Sequence, residues 1–236
     1  SDTCLVTSGY IDNEIHSGRL RENCYNLFLL YPPGSKINQE KILKINNQNL
    51  SKYGANYSYN VIFNGIFRYS NLKKIKAFEK ELVQFLSQLR KENELDELFI
   101  SEIGILSKSL KTSYLEFLSY SNFFKKNRFK NLIVYDENSP SRRVIWEAAR
   151  KCDVSIYAIQ HGAIHDLHPA YNFSNYNIKP NLPDFTFLWG NKYNDLLVKY
   201  GYDKNSLINS GAIGLDSINS LIIEQQIKSL RYLYSL

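Results

Sequence analysis

The sequence predicts an α/β protein: a parallel sheet flanked by helices. Three observations predict it. Short apolar runs fall at 131–135, 154–159, 184–189 and 207–210; helix-like segments separate the first two at 140–151 and the last two at 191–200; and the second run ends abruptly in Gln160, His161 and Gly162. Strand, helix, strand, loop, strand, helix, strand is the rhythm of right-handed βαβ crossovers. In open sheets of this kind ligands sit just beyond the carboxyl ends of the strands, where this chain places polar, titratable residues.

In chain order, residues 1–72 read as irregular, with strands expected at 26–30, closed by Pro32, Pro33 and Gly34, and at 59–63, closed by Asn64 and Gly65. From 74 to 90 the residues Ile75, Phe78, Leu82, Phe85 and Leu89 recur at three- and four-residue steps, the signature of one core-facing side of a helix. A second, longer helix is expected from 95 to about 124. Asn131 to Tyr135 reads as a buried strand, followed by a polar loop and a helix with Ser139 as N-cap and Pro140 at its first position. Gly201 is placed to end the helix that begins at Asn191.

Composition bounds the class. With 236 residues, 44% hydrophobic and 22% charged, the chain can bury one good core or two small ones. It has no run of 18 apolar residues and no signal-peptide layout at its start, so a membrane span is not expected. Cys4, Cys24 and Cys152 are far apart and odd in number, which argues against a disulfide framework and for a reducing, cytoplasmic setting. Methionine is absent even at the first position, which suggests a trimmed chain or one missing its methionines. The net charge of +6 favours polyanionic neighbours. Its densest cluster, 123–130, interleaves Lys125, Lys126, Arg128 and Lys130 with three phenylalanines, which suits an anionic membrane surface better than nucleic acid; the alternative is a solvated helix end. No nucleic-acid partner is expected.

Three candidate sites follow. Asp136 and Glu137 directly follow a strand, where a carboxylate can act as a general base or bind hydroxyls, or can complement the dipole of the next helix. The loop from Gln160 to His168 holds three of the four histidines; His161 and His165 are candidates to titrate near neutrality against a phosphate, sugar hydroxyl or acceptor, and Gly162 to let the backbone turn toward a ligand. A structural His161 is the alternative. The spacing of His161, His165 and His168 beside Asp166 is not a standard zinc pattern, so no metal is expected. Last, the turn from Ser210 to Asp216, with Gly211 and Gly214, offers backbone N–H groups for a phosphate or simply makes a turn.

In order along 131–217, Tyr135-Asp136-Glu137, a helix, Gln160-His161-Gly162, Tyr171, Asp184 to Trp189-Gly190 and Gly211 to Asp216 resemble bacterial surface- and capsule-polysaccharide glycosyltransferases of the GT-B type, in particular the CDP-glycerol glycerophosphotransferase-like group. The resemblance implies one Rossmann-like half of a GT-B fold, an acceptor-side domain over 1–216, with 217–236 as a helical tail or the start of a further domain. It implies transfer of a sugar or polyol phosphate from a nucleotide-activated donor, such as a nucleotide sugar or CDP-glycerol, to a glycan or lipid-linked acceptor, with no bound cofactor. His161, Asp136 and Glu137 would be catalytic; Gln160, Gly162, His165, His168, Gly211 and Asp216 would bind substrate. A second domain or subunit would supply the nucleotide pocket. The setting would be cytoplasmic, with a peripheral seat on the inner membrane face through the basic cluster. The rival expectation is a non-catalytic α/β module that binds a glycan, an anionic lipid or a partner protein.

Overall fold

The computed structural model describes residues 1–8, 23–29, 54–66, 68–93, 97–135, 140–160, 162–165, 171–172 and 181–212. Seven strands form one sheet: β1 (Thr3–Ser8), β2 (Tyr25–Leu29), β3 (Ala55–Tyr57), β4 (Asn131–Tyr135), β5 (Ser155–Ile159), β6 (Phe185–Leu188) and β7 (Leu207–Asn209). Their order is β3-β2-β1-β4-β5-β6-β7, and every neighbouring pair is parallel. This is a Rossmann-like arrangement, with the strand order reversing between β1 and β4. Five helices are described: α1 (Ser58–Ile66), α2 (Tyr69–Asn93), α3 (Glu97–Asn127), α4 (Pro140–Arg150) and α5 (Asn191–Lys199).

Strand periodicity sorts the side chains into two faces. Cys4 and Val6 of β1, Leu132 and Val134 of β4, and Ile156 and Ala158 of β5 point into the main core. There they meet Tyr120, Phe123 and Phe124 of α3 and Ile145, Trp146, Ala148 and Ala149 of α4. Leu5, Tyr135 and Ile159 point to the other face, with Ile133 and Phe187 packed beside them. A further cluster joins Leu188 of β6 to Leu197 of α5, Tyr200, Tyr202 and Leu207. Gly201 ends α5 as expected, at φ 95°, and lets the Tyr202 N–H bond the Leu197 carbonyl at 3.1 Å.

The four strands and two helices expected beyond residue 130 stand within a residue or two of their predicted bounds. In the first 72 residues the strand expected at 26–30 stands as β2 (Tyr25–Leu29), whereas β1, β3 and α1 depart from the irregular reading. Residues 59–63, expected as a strand, lie inside α1. Their aromatic and β-branched composition points locally to a strand, but Ser58, Val61 and Gly65 are buried at three- and four-residue steps, and packing against α3 decides the outcome.

The α2 stripe also needs correction. Ile75 is buried and Phe78 stacks on Tyr114 of α3 at 4.5 Å, yet Phe85 is 57% exposed. At about 1.5 Å per residue, the 31-residue α3 runs to roughly 46 Å, longer than the sheet can cover. Its carboxyl half is buried on the sheet, while residues 108–112 and the facing part of α2 stand largely in solvent, tied by a Lys111–Glu79 ion pair of 2.6 Å.

Candidate functional site

Because all seven strands run in one direction, every carboxyl end lies along the same edge of the sheet. Tyr135 stands opposite Ile159 in the β4–β5 ladder, so the chain leaves these neighbouring strands at the same level, about 4.8 Å apart. Asp136 and Glu137 follow the first exit and Gln160, His161 and Gly162 the second. Asp136, Glu137, His161, His168 and Asp216 lie outside the described residues, as do Ser139 and the segment 217–236.

Gln160 is the best-defined member of this edge. Its side chain is 2% exposed and makes two bonds: Nε2 donates to the Gly162 carbonyl at 2.8 Å, and Oε1 accepts from the Trp189 N–H at 2.9 Å. Its own N–H donates to the Phe187 carbonyl at 3.0 Å, and its carbonyl accepts from the Trp189 indole N–H at 3.0 Å. A buried primary amide must have partners. Here they are the Gly162 carbonyl and the Trp189 N–H just beyond β6, so the Gln160 side chain ties the chain at 162 to the end of β6. These two bonds use one N–H and one lone pair of the Gln160 side-chain amide.

Gly162 is half-buried, and a Cβ built on it meets nothing within 4 Å. Its φ is outside the left-handed region, so neither backbone geometry nor crowding among the described residues requires a glycine there. The same space surrounds Gly190, at the end of β6, where the extended backbone suits any residue. Gly211, beyond β7, is different: its φ of 77° favours glycine, which agrees with the turn reading of that segment. Ile164 is buried among the α5 residues and anchors the loop, leaving His165 exposed beside it. Among the described residues no group of three or more His, Cys, Asp or Glu side chains could hold a metal ion.

Two features of this edge were not anticipated from the sequence. The reversal of strand order falls between β1 and β4, so the exit of β1 at Ser8, followed in sequence by Gly9, borders that crevice as the exit of β4 at Tyr135 does. The apolar Cys4-Leu5-Val6 run closing in Ser8-Gly9 is the signal for it. Arg142, in the first turn of α4, is only 2% exposed. It shares a buried polar cluster with Tyr120, Ser58 and Glu116. Burial first, then the Glu116 charge, pushes the Tyr120 hydroxyl above its usual range, against the pull of Arg142 and a hydrogen bond with Ser58. Burial likewise raises the Glu116 carboxyl.

Asp184, part of the resemblance, has a structural task at the opposite edge. Its Oδ2 accepts from the Ile156 N–H at 2.7 Å and its N–H donates to the Ile156 carbonyl at 3.0 Å, which fastens β6 to the start of β5. The aromatic rings of the basic cluster are also committed elsewhere. Phe123, Phe124 and Phe129 are largely buried against one another, whereas Lys125, Lys126, Asn127, Arg128 and Lys130 reach solvent. No helix among the described residues is long and apolar enough to cross a membrane. In comparisons with known proteins, no family model matches the chain. No curated protein matches it either.

Proposed function

We propose that this chain is the acceptor-side half of a GT-B type transferase of surface-polysaccharide synthesis, moving a sugar or polyol phosphate from a nucleotide-activated donor to a glycan or lipid-linked acceptor. The observation that carries the reading is the paired exit of β4 and β5, level with each other, with Gln160 bonded to Gly162 and Trp189 just beyond it. In this reading His161 takes the proton from the acceptor hydroxyl, Asp136 or Glu137 orients that hydroxyl, and His165 and His168 reach toward phosphate. Gly162, Gly211 and Asp216 contact substrate through the backbone and the turn beyond β7. A second domain or subunit supplies the nucleotide pocket and the donors that stabilise the departing diphosphate. No cofactor takes part.

Two measurements test it. In an active preparation, His161→Ala should lower turnover by about two orders of magnitude or more if the imidazole is the base; unchanged turnover removes that role. Calorimetry with the chain alone should detect acceptor glycan but neither nucleotide sugars nor CDP-glycerol. A second reading, a non-catalytic module for an anionic lipid, a glycan or a partner protein, draws on the four exposed cations of 125–130 at the other edge of the sheet. It expects His161→Ala to leave membrane or partner binding intact.

A further inference from the structure

The amino-terminal edge of the sheet carries a cavity of about 390 Å³, within the range of small-ligand sites. It opens where α1 and α3 end, beside the first residue of β2. Asn64, Arg68, Asn122, Lys126 and Asn127 line it, over a floor formed by Tyr25 and Phe123, whose rings lie 5.7 Å apart. Among the described residues no carboxylate lines it. Arg68 and Lys126 are both exposed, and among the described residues neither is in an ion pair. Cations near the carboxyl ends of helices also complement the helix dipole. That function needs neither a cavity nor three converging amides.

The walls are built to hold their shape. A Cβ on Gly65 would lie 1.8 Å from Ser119 Oγ, so α1 and α3 touch as closely as glycine allows. Asn71 Nδ2 donates to the Gly65 carbonyl at 2.9 Å, and Asn122 Nδ2 donates to Asn71 Oδ1 at 3.2 Å, linking both helices to α2. Each of the Asn122 and Asn127 amides has one bond within the protein, leaving a second N–H for a ligand.

We propose that this cavity binds a phosphate group, with Arg68 and Lys126 supplying charge and the asparagine amides supplying directed N–H donors. The phosphate could belong to a soluble phosphoester or to the head group of an anionic lipid; the chemistry recognised is the same. The site lies on the opposite edge from the proposed transfer centre and stands independently of it.

The test uses the full chain in two arms, calorimetry with glycerol 3-phosphate and flotation with vesicles of phosphatidylglycerol and phosphatidylcholine. Saturable binding is expected in at least one arm. Binding to glycerol 3-phosphate assigns a soluble phosphoester, and binding to vesicles alone assigns a head group. The double substitution Arg68→Gln with Lys126→Gln should weaken it about tenfold or more. Lys151→Gln with Lys199→Gln, which removes the same charge outside the cavity, should change it less than about twofold. No binding in either arm, or equal losses in the two variants, overturns the proposal. Should the first variant fail to fold, amide chemical shifts of the unaltered protein decide: perturbations must centre on 64–68 and 122–127, and perturbations confined elsewhere overturn the proposal as well.

Discussion

The two edges of the sheet use glycine and asparagine or glutamine amides in opposite ways. At the amino-terminal edge, Gly65 is required by its neighbour, since any side chain would collide with Ser119. At the carboxyl edge, Gly162 and Gly190 face open space. Amides follow the same division: Asn122 and Asn127 keep N–H groups over a cavity, whereas Gln160 turns its amide inward to hold a loop. A glycine that packing demands reports on stability, and one that packing does not demand reports on whatever approaches from outside.

Substitutions can break or sharpen this contrast. The largest effect is expected from Gly65→Ala, an overpacking change that should cost about 3 kcal/mol in chemical denaturation; Ser119→Gly in the same chain should restore part of it, and a lack of restoration would place the strain elsewhere. Next is Gln160→Ala, which leaves the Trp189 N–H and Gly162 carbonyl without their partner and should lose about 1–3 kcal/mol. Gly162→Ala should change stability by less than about 0.5 kcal/mol while weakening acceptor binding; a drop in melting temperature would show that the fold, not a ligand, needs that glycine.

The smallest effect concerns Glu116, whose carboxyl is raised by burial. Its contribution is fully present below the ordinary unfolded value of about 4.3 and is lost as pH rises through the raised folded value. Glu116→Gln keeps a neutral group, so it should raise the melting temperature slightly at pH 7 and give no gain near pH 3.5. An equal gain at both pH values would assign the effect to packing.

The four strands from β4 to β7 were legible because their signals agree locally. Each strand from β4 to β7 is an apolar run with a clear boundary, and Gly201 marks the end of α5. In the first part of the sheet only β2 was. β1 mixes Thr and Ser with its apolar residues, and α1 is composed like a strand; both are fixed by contacts with α3 and β4, more than 50 residues away in sequence. The site was legible only as strand ends. Periodicity indicated that residues 136 and 160 follow strands, but their adjacency depends on strand order, and the crevice at β1 depends on a strand that the pattern did not reveal. Arg142 was missed for a related reason: an arginine in a helix's first turn reads as surface, and only the packing of α3 over α4 buries it.

The clamp around Gln160 has a mechanical meaning. Every bond it makes across the sheet goes to β6, through Phe187 and Trp189, and none goes to β4. Above the last β4–β5 pair, Tyr135 with Ile159, Gln160 is therefore tied to the end of β6 among the described residues. Stiffness at this end of the sheet is thus shared between β5 and β6, and loss of the two Trp189 bonds would leave Gln160 held by Phe187 and Gly162 alone.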